Sequence, residues 1–214
     1  MLGFYNYTVV LTYVGMLASF AGVLFAIHDS LTTALLCLMI SGLCDMFDGR
    51  IASTMKNRTR NQKNFGIQID SLSDLICFGV LPAVIVHLMT PDKMIVSVIC
   101  GLYLLCALIR LAYFNVDEAE RQARAEAEGM ETRRKHYQGL PVTSVAVILP
   151  LVFCAAQQLP KFGDAAAPIV LFLMAGAFIT PFHLKKPALV GMLIFALIGI
   201  AELVVLVMQM KGQV

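Results

Sequence analysis

Four aspartates lie in two closely spaced pairs inside strongly apolar sequence. Asp45 and Asp48 are three residues apart in CDMFDGRIAS, and Asp70 and Asp74 are four residues apart in IDSLSDLICFGV. Both spacings place the two members of a pair on one face of a helix. A carboxylate near the centre of a bilayer costs roughly 2.5–3.5 kcal/mol on insertion scales. Aspartates in such surroundings therefore indicate a functional site.

Divalent cations would offset the charge of these aspartates. Both pairs lie near the facing ends of neighbouring apolar segments, so antiparallel packing of the two helices would bring the four carboxylates together. An all-carboxylate cavity suits hard, oxygen-preferring ions such as Mg²⁺, Mn²⁺ or Ca²⁺. Two such ions would bind a diphosphate and stabilise the entering and leaving oxygens of a transfer reaction. The pattern predicts a two-metal site for phosphate chemistry.

The composition indicates that these helices cross a membrane. Of the 214 residues, 59% are hydrophobic and 14% are charged, whereas a soluble domain has roughly 45–50% apolar and 25% charged residues. Seven apolar segments approach the roughly 20 residues that a spanning helix needs. They lie at 6–27, 32–52, 66–89, 93–115, 141–159, 166–183 and 187–209. We predict an all-α bundle of six to seven transmembrane helices in a single domain over residues 1–214, with the sixth segment shortened by Pro168 and broken by FITPF.

The charge of the connections predicts the orientation of the bundle. Basic residues are concentrated in STMKNRTRNQKNF after the second segment, in the 116–136 link and at Lys185 and Lys186, whereas HDS, TPDK and LPKFGD nearly lack them. The positive-inside rule then puts the basic links, the N-terminus and the open side of the acidic cavity in the cytoplasm. We expect the 116–136 link to form a separate solvated helix or hairpin, and we expect no nucleic-acid partner.

Small residues accompany the acids and complete a recognisable motif. Gly49 follows Asp48, Ala52 comes one turn after Asp48, and Gly66 comes one turn before Asp70. Such residues let a ligand or a helix approach the backbone closely. The pattern D-x-x-D-G-x-x-A followed by G-x-x-x-D-x-x-x-D resembles the signature of the CDP-alcohol phosphatidyltransferases. IDSLSDLICFGVLPA, RLAYFNV (110–116) and YQGLPVTS (137–144) are similar to the serine-accepting branch of that family, so the resemblance covers about residues 30–150.

The resemblance implies a transferase of a prokaryotic cell membrane that works on lipid substrates. It would move the phosphatidyl group of CDP-diacylglycerol to the hydroxyl of L-serine, release CMP and use two divalent ions, Mg²⁺ or Mn²⁺, with Ca²⁺ as a further option. Family members imply a homodimer.

The resemblance also implies a role for each motif residue. Asp45, Asp48 and Asp70 would bind one metal ion, and Asp45, Asp70 and Asp74 would bind the other. Asp74 would also accept the proton of the attacking hydroxyl. The residues implied at the nucleotide are Gly49, Ala52, Ser53, Thr59 and Gly66.

This chain departs from the family motif at one basic position. Ser53 stands where family members usually have arginine, and the spacing from Ala52 to Gly66 is longer than usual. A basic residue of the longer link would then contact the phosphates. The available residues are Arg50, Lys56, Arg58, Arg60 and Lys63, of which Arg58 and Lys63 are our candidates for a substrate phosphate or the serine carboxylate.

Arg110 is a further candidate, because an arginine in the apolar stretch CALIRLAYFN is costly unless it faces a cavity. It would bind the substrate phosphate or the serine carboxylate, or else pair with one of the aspartates. Asn115, which follows closely, is a weaker candidate for the same role, and the alternative is that it caps or ends its helix. Glu202 is an isolated acid in the last segment and would pair within the bundle or lie in a dimer contact.

Two alternatives to a serine acceptor stay open. The first is another acceptor within the same family, such as glycerol 3-phosphate or inositol phosphate. A phosphorylated acceptor would demand more basic residues inside the spans than Arg110 alone. The second is a divalent-cation transporter, because aspartates in a membrane mark ion pathways. The acids lie near one predicted membrane face, which favours the transferase.

Overall fold

The fold is a bundle of helices with one short pair of strands. The computed structural model describes residues 3–55, 58–90, 94–128, 136–158 and 160–185, together with 199, 201–204, 206 and 208. A 3₁₀ turn at Tyr7–Val9 leads into the first helix, a π-helical segment at Leu75–Val80 follows the third, and a 3₁₀ turn at Val142–Ser144 leads into the sixth. The helices are α1 (Val10–Ile27), α2 (Leu31–Thr54), α3 (Arg60–Asp74), α4 (Leu81–Met89), α5 (Met94–Glu128), α6 (Val145–Gln158) and α7 (Pro160–Ile179).

Two strands of three residues form the β structure of the described chain. β1 (His136–Gln138) pairs antiparallel with β2 (His183–Lys185), with His136 opposite Lys185. The sequence analysis did not predict this pairing. It joins the segment that precedes α6 to the segment that follows α7.

Four helical stretches are long and apolar enough to cross a membrane. They are Tyr7–Ile27, Leu31–Thr54, Arg60–Met89 and Met94–Arg124, and two shorter apolar helices follow at Val142–Gln157 and Ala165–Ile179. A helical fold with four candidate membrane-spanning helices among the described residues is therefore confirmed. The predicted seventh segment at 187–209 falls largely outside the described residues, so the total of six to seven spans stays a prediction.

Helix α3 begins six residues earlier than the hydropathy pattern predicted. The backbone N–H of Gln62 donates to the Thr59 hydroxyl at 3.3 Å, and the backbone N–H of Thr59 donates to the Gln62 side chain at 3.0 Å. This reciprocal capping box fixes the start of a helix. Arg60 and Lys63 consequently lie on the first turns of α3 and not in a loop.

Helix α5 runs through the stretch that the sequence analysis assigned to a separate link. The predicted helix in this stretch is confirmed as far as Glu128, but it is an uninterrupted extension of α5, so the predicted end of the preceding segment near residue 115 was wrong. Alanine, glutamate, arginine and glutamine favour helix. Ion pairs from Glu118 to Arg121 and from Glu120 to Arg124 add support at the spacing of one turn.

Helix α7 also departs from the predicted boundaries. It starts at Pro160, so most of the expected connection LPKFGD is helical, and it passes Pro168 without ending. Proline is well tolerated in the first turn of a helix because its missing N–H would have no partner there. The helix ends at Ile179, just before Pro181.

Small residues bring α1 against the acid-bearing helix α2. A Cβ placed on Gly22 would lie 2.8 Å from the Cβ of Cys37, and the Ser41 hydroxyl donates to the carbonyl of Gly15 at 2.8 Å. The hydroxyls of Ser19 and Ser41 are 2.7 Å apart. Close backbone approach of this kind is typical of helix contacts inside membranes. These contacts hold α1 against the part of α2 that precedes Asp45.

A widened turn separates the acidic helix α3 from α4. The π-helical segment Leu75–Val80 begins at the residue after Asp74. The hydroxyl of Tyr103 on α5, which is fully buried, donates to the carbonyl of Phe78 at 2.6 Å, and the ring of Tyr103 packs on Phe178 of α7. Single π turns inside helices occur frequently at functional sites. The bond from Tyr103 joins this π-helical segment, and with it the C-terminal end of α3, to α5.

Candidate metal centre

Three aspartates from two helices converge on one point. One carboxylate oxygen each of Asp45 on α2, Asp70 on α3 and Asp74 on α3 lie within 4.8 Å of one another. The spacing of four residues puts Asp70 and Asp74 on the same face of α3, as expected for an α-helix. The two neighbouring helices thus turn their acidic faces toward each other.

The fourth aspartate lies beside this group. Asp48 is buried, and its carboxyl group is within hydrogen-bonding reach of the carboxyl group of Asp70. One of its oxygens, Oδ2, accepts a hydrogen bond from the Thr12 hydroxyl at 3.1 Å. We refer to Asp45, Asp48, Asp70 and Asp74 as the acidic cluster.

The donor atoms of the acidic cluster fit a divalent cation. Among the described residues, no lysine, arginine or histidine forms an ion pair with Asp45, Asp70 or Asp74. Carboxylates this close repel one another unless a cation or protons neutralise them. All donors are oxygen, which suits Mg²⁺, Mn²⁺ or Ca²⁺ and not a soft metal. The cluster supplies both the ligands and the unbalanced negative charge that such an ion requires.

Helix α1 contributes to the wall of the site. The Ser73 hydroxyl on α3 donates to the main-chain carbonyl of Thr12 at 3.3 Å, while the Thr12 side chain binds Asp48. Thr12 thereby contacts both acid-bearing helices. The cavity next to it is lined by Thr12, Gly15, Ser41, Cys44, Asp45, Asp48, Ser73, Asp74, Cys77 and Phe78.

Thr12 is the functional neighbour that sequence reasoning missed, because it lies far upstream of the acidic motif. A signal for it was present in α1. Its buried residues are small and recur every three or four positions, at Thr12, Gly15, Ser19, Gly22 and Ala26. Such a stripe marks the face that packs closely on another helix, and Thr12 is its polar member at the end nearest the acids.

The predicted nucleotide residues on α2 differ in their surroundings. Gly49 is exposed, and no atom lies within 4 Å of the place where its Cβ would be, so the space beside it is open to a ligand. Ala52 is half-buried one turn later. The Ser53 hydroxyl donates to the carbonyl of Arg50 at 2.6 Å and so binds its own helix.

The predicted residues around the start of α3 also have defined surroundings. The Thr59 hydroxyl caps the helix, as described above, and Lys63 is exposed. The Arg58 side chain lies across Gly66, with Nη2 2.5 Å from the place where the Gly66 Cβ would be. Nη2 also donates to the carbonyl of Gln62 at 3.3 Å.

Arg110 is buried on α5 at a close approach to the chain entering α6. Its Nη1 lies 3.4 Å from the position that a Cβ of Gly139 would occupy, and Gly139 has φ +72°. A side chain at residue 139 would be strained there and would crowd Arg110. Ligand binding by Arg110 stays a prediction, whereas an ion pair with Asp45, Asp70 or Asp74 is not found among the described residues.

Asn115 does not end its helix, contrary to the prediction, because α5 continues beyond it. Its side-chain oxygen instead accepts a hydrogen bond from the Ser71 hydroxyl at 2.7 Å, and its side-chain nitrogen donates to Gln68 at 3.5 Å. These bonds tie α5 to α3 at the residue after Asp70. Glu202 is buried, and neither of its carboxylate oxygens has a hydrogen-bond partner among the described residues.

Comparison with known proteins gives a consistent family relationship. The family model described as CDP-alcohol phosphatidyltransferase matches residues 5–183. The chain is 34% identical over 124 residues to the CDP-diacylglycerol–serine O-phosphatidyltransferase of Saccharomyces cerevisiae, covering 56% of this chain and 42% of that protein. It is 30% identical over 133 residues to the archaetidylserine synthase of Methanothermobacter thermautotrophicus, covering 62% and 51% of the two chains.

A mycobacterial relative extends the comparison. The CDP-diacylglycerol–serine O-phosphatidyltransferase of Mycobacterium bovis is 28% identical over 164 residues, which cover 76% of this chain and 53% of that protein. The chain therefore spans about half the length of the relatives it matches.

Replacing Thr12 with valine removes the hydroxyl bound to Asp48 with little change of volume. We expect the Mn²⁺ concentration that gives half-maximal thermal stabilisation of the purified protein to rise roughly 10-fold or more, the usual effect of losing a hydrogen bond to a metal ligand. Thr12→Ser keeps the donor and serves as the matched control. Equal Mn²⁺ responses of wild type and Thr12→Val would remove Thr12 from the site.

Proposed function

The chain belongs to the CDP-alcohol phosphatidyltransferase family and is an integral membrane protein, and we propose that it transfers the phosphatidyl group of CDP-diacylglycerol to L-serine. The products would be phosphatidylserine and CMP, so the reaction would be a step of phospholipid synthesis. The observation that carries this proposal is the acidic cluster, in which three carboxylates from two apolar helices meet within 4.8 Å.

Serine is the acceptor that the relatives favour. The yeast and mycobacterial relatives are named for transfer to serine, and the archaeal relative is named for a serine-containing lipid product. A phosphorylated acceptor would need a dense group of basic side chains within the spans. Among the described residues, Arg110 is the arginine that is buried there, which favours an acceptor without a phosphate. Arg110 has the planar fork that suits a carboxylate or a phosphate, and we assign it to one of these groups of the substrates.

The residues of the acidic cluster would divide the chemistry between them. We assign Asp45, Asp48 and Asp70 to one divalent ion and Asp45, Asp70 and Asp74 to a second, with Mg²⁺ or Mn²⁺ as the physiological metals and Ca²⁺ as a further possibility. When bound, these ions neutralise the charge of the diphosphate. Thr12 orients Asp48 toward the cluster through its hydroxyl.

The transfer itself would be a direct displacement at phosphorus. The serine hydroxyl oxygen attacks the phosphorus next to the diacylglycerol, and the bond from that phosphorus to the bridging oxygen of CMP breaks. Asp74 accepts the hydroxyl proton as the new bond forms, and CMP leaves with the bonding electrons. A carboxylate within hydrogen-bond reach typically accelerates such a step by 10²–10⁴-fold. The other aspartates position the reacting groups, which is the main task of a protein in phosphoryl transfer.

The nucleotide would lie along α2 and the start of α3. The open space beside Gly49 and the small side chain of Ala52 leave room for the cytidine, with Gly66 on the facing helix. Ser53 and Thr59 would contribute through their backbone or by turning their hydroxyls away from their present partners.

The arrangement in the membrane completes the proposal. We place the N-terminus and the mouth of the cavity in the cytoplasm of a prokaryotic cell, following the positive-inside rule. Six to seven spans would form one membrane domain over residues 1–214, with its motif core at 30–150. A homodimer is the assembly that the family implies.

A transferase assay tests the reaction and the acceptor together. Purified protein with CDP-diacylglycerol and Mn²⁺ is expected to release CMP and to form labelled lipid with L-serine, but not with glycerol 3-phosphate or inositol phosphate. Chelation should abolish both products, because the diphosphate would then meet uncompensated carboxylates. Lipid product with a phosphorylated acceptor alone would overturn the choice of serine. Mn²⁺ flux into liposomes without any release of CMP would instead identify a transporter.

Asp74→Asn removes the proposed base and one proposed ligand of the second ion, and leaves the three proposed ligands of the first ion in place. We expect turnover to fall at least 100-fold, because asparagine cannot accept the hydroxyl proton, while binding of CDP stays largely intact. Asp29→Asn is a matched control, because Asp29 lies in a turn with φ 59°, a conformation that asparagine tolerates. Near-normal turnover of Asp74→Asn would rule out Asp74 as the base.

A further inference from the structure

The side chain of Arg58, which lies just before the first residue of α3, packs closely against that helix. Arg58 precedes the helix and lies back across its second turn, over Gly66. The Nη2 atom is 2.5 Å from the site of a Gly66 Cβ, a distance that any larger residue would make impossible without displacing the guanidinium. Glycine at position 66 therefore creates the place in which the Arg58 side chain lies.

The guanidinium group of Arg58 is only partly satisfied. Nη2 donates to the carbonyl of Gln62, whereas Nε is buried and has no hydrogen-bond partner among the described residues. Arginine has five N–H donors in a rigid planar fork, and a buried donor without an acceptor is unfavourable. A cation with a buried N–H that has no acceptor among the described residues points to an anionic ligand as its partner.

The position of this guanidinium relates it directly to the acidic cluster. Gly66, Asp70 and Asp74 follow one another at intervals of four residues on α3, so they share one face. One such interval corresponds to about 6 Å along a helix. The Arg58 guanidinium thus lies one helical turn N-terminal to Asp70, on the face of α3 that carries Asp70 and Asp74. A diphosphate extending from the cluster would reach it.

The other basic residues near the site do not match these properties. Arg50 and Arg60 are exposed and each has a partner, and Lys63 is exposed on the surface of α3. Lys56 falls outside the described residues.

Ser53, at the position where the family motif has arginine, binds the backbone of its own helix. Arg58 is the basic side chain of the described link that has a buried donor with no partner.

We propose that Arg58, seated on Gly66, binds a phosphate of the nucleotide diphosphate and so takes the part of the arginine that the motif lacks after Ala52. This inference rests on the proposed function, since the diphosphate is that of CDP-diacylglycerol. It explains why a longer link between α2 and α3 accompanies serine at position 53. The longer link allows an arginine to return to the site from the α3 side.

Binding of CDP in the presence of Mn²⁺ tests this assignment on the purified full chain. Arg58→Gln is expected to weaken CDP binding about 10- to 100-fold, as removal of a charged hydrogen bond does, while Mn²⁺ binding without nucleotide is unchanged. Gly66→Ala should weaken CDP binding similarly with Arg58 intact, because the methyl group displaces the guanidinium. Arg124→Gln removes an exposed arginine at the far end of α5 and should leave CDP binding unchanged.

A rescue variant distinguishes a phosphate contact from general damage. Ser53→Arg added to Arg58→Gln restores an arginine at the motif position and is expected to recover most of the CDP affinity. Wild-type CDP affinity in Arg58→Gln would overturn the role of Arg58 while leaving the transferase proposal intact. Failure of the wild-type protein to bind CDP or release CMP would instead overturn the transferase proposal, and this inference with it.

Discussion

Uncompensated negative charge inside an apolar helix bundle is the constraint on which the structure depends. Asp45, Asp70 and Asp74 bring oxygen atoms within 4.8 Å of one another, and no basic side chain of the described residues pairs with them. Apolar surroundings make such a group of carboxylates unfavourable unless cations or protons neutralise them. In the proposed function, divalent ions would neutralise this charge and would in turn bind the diphosphate. The same electrostatic feature would then serve both substrate binding and catalysis.

The neighbouring helices hold the acids in place mainly through uncharged hydrogen bonds. Thr12 binds Asp48, Ser73 binds the backbone of Thr12, and Ser71 binds Asn115. Each of these bonds joins two different helices close to an aspartate, so the positions of α1, α3 and α5 relative to the cluster are fixed. The Thr12 hydroxyl orients the Asp48 carboxylate without neutralising it. The charge of the cluster stays available for metal ions, which a lysine or arginine in the same place would prevent.

Much of the architecture could be predicted from the sequence, because the responsible signals are local. Hydropathy located the helices, and the spacing of Asp70 and Asp74 put them on one face. The starts and ends of α3, α5 and α7 were predicted less well. A capping box at Thr59 extends α3 ahead of its apolar segment, and helix-favouring charged residues beyond Asn115 extend α5 past its apolar segment. The apolar runs alone do not indicate these extensions. The stripe of small residues in α1 marks a packing face, but it does not indicate that Thr12 contacts Asp48. The contact of Arg58 with Gly66 likewise depends on how the link folds back on α3.

Titration of the purified protein with Mn²⁺ tests the electrostatic basis of the site without any substrate. Electron paramagnetic resonance measures the concentration of the free ion, and the bound fraction follows from it. We predict saturable binding by the wild type and by Asp29→Asn, and an affinity at least 10-fold weaker in Asp45→Asn and Asp70→Asn variants that keep wild-type helix content. Absence of saturable binding in the wild type, or unchanged affinity after both substitutions, would contradict a cation site at the facing acidic sides of α2 and α3.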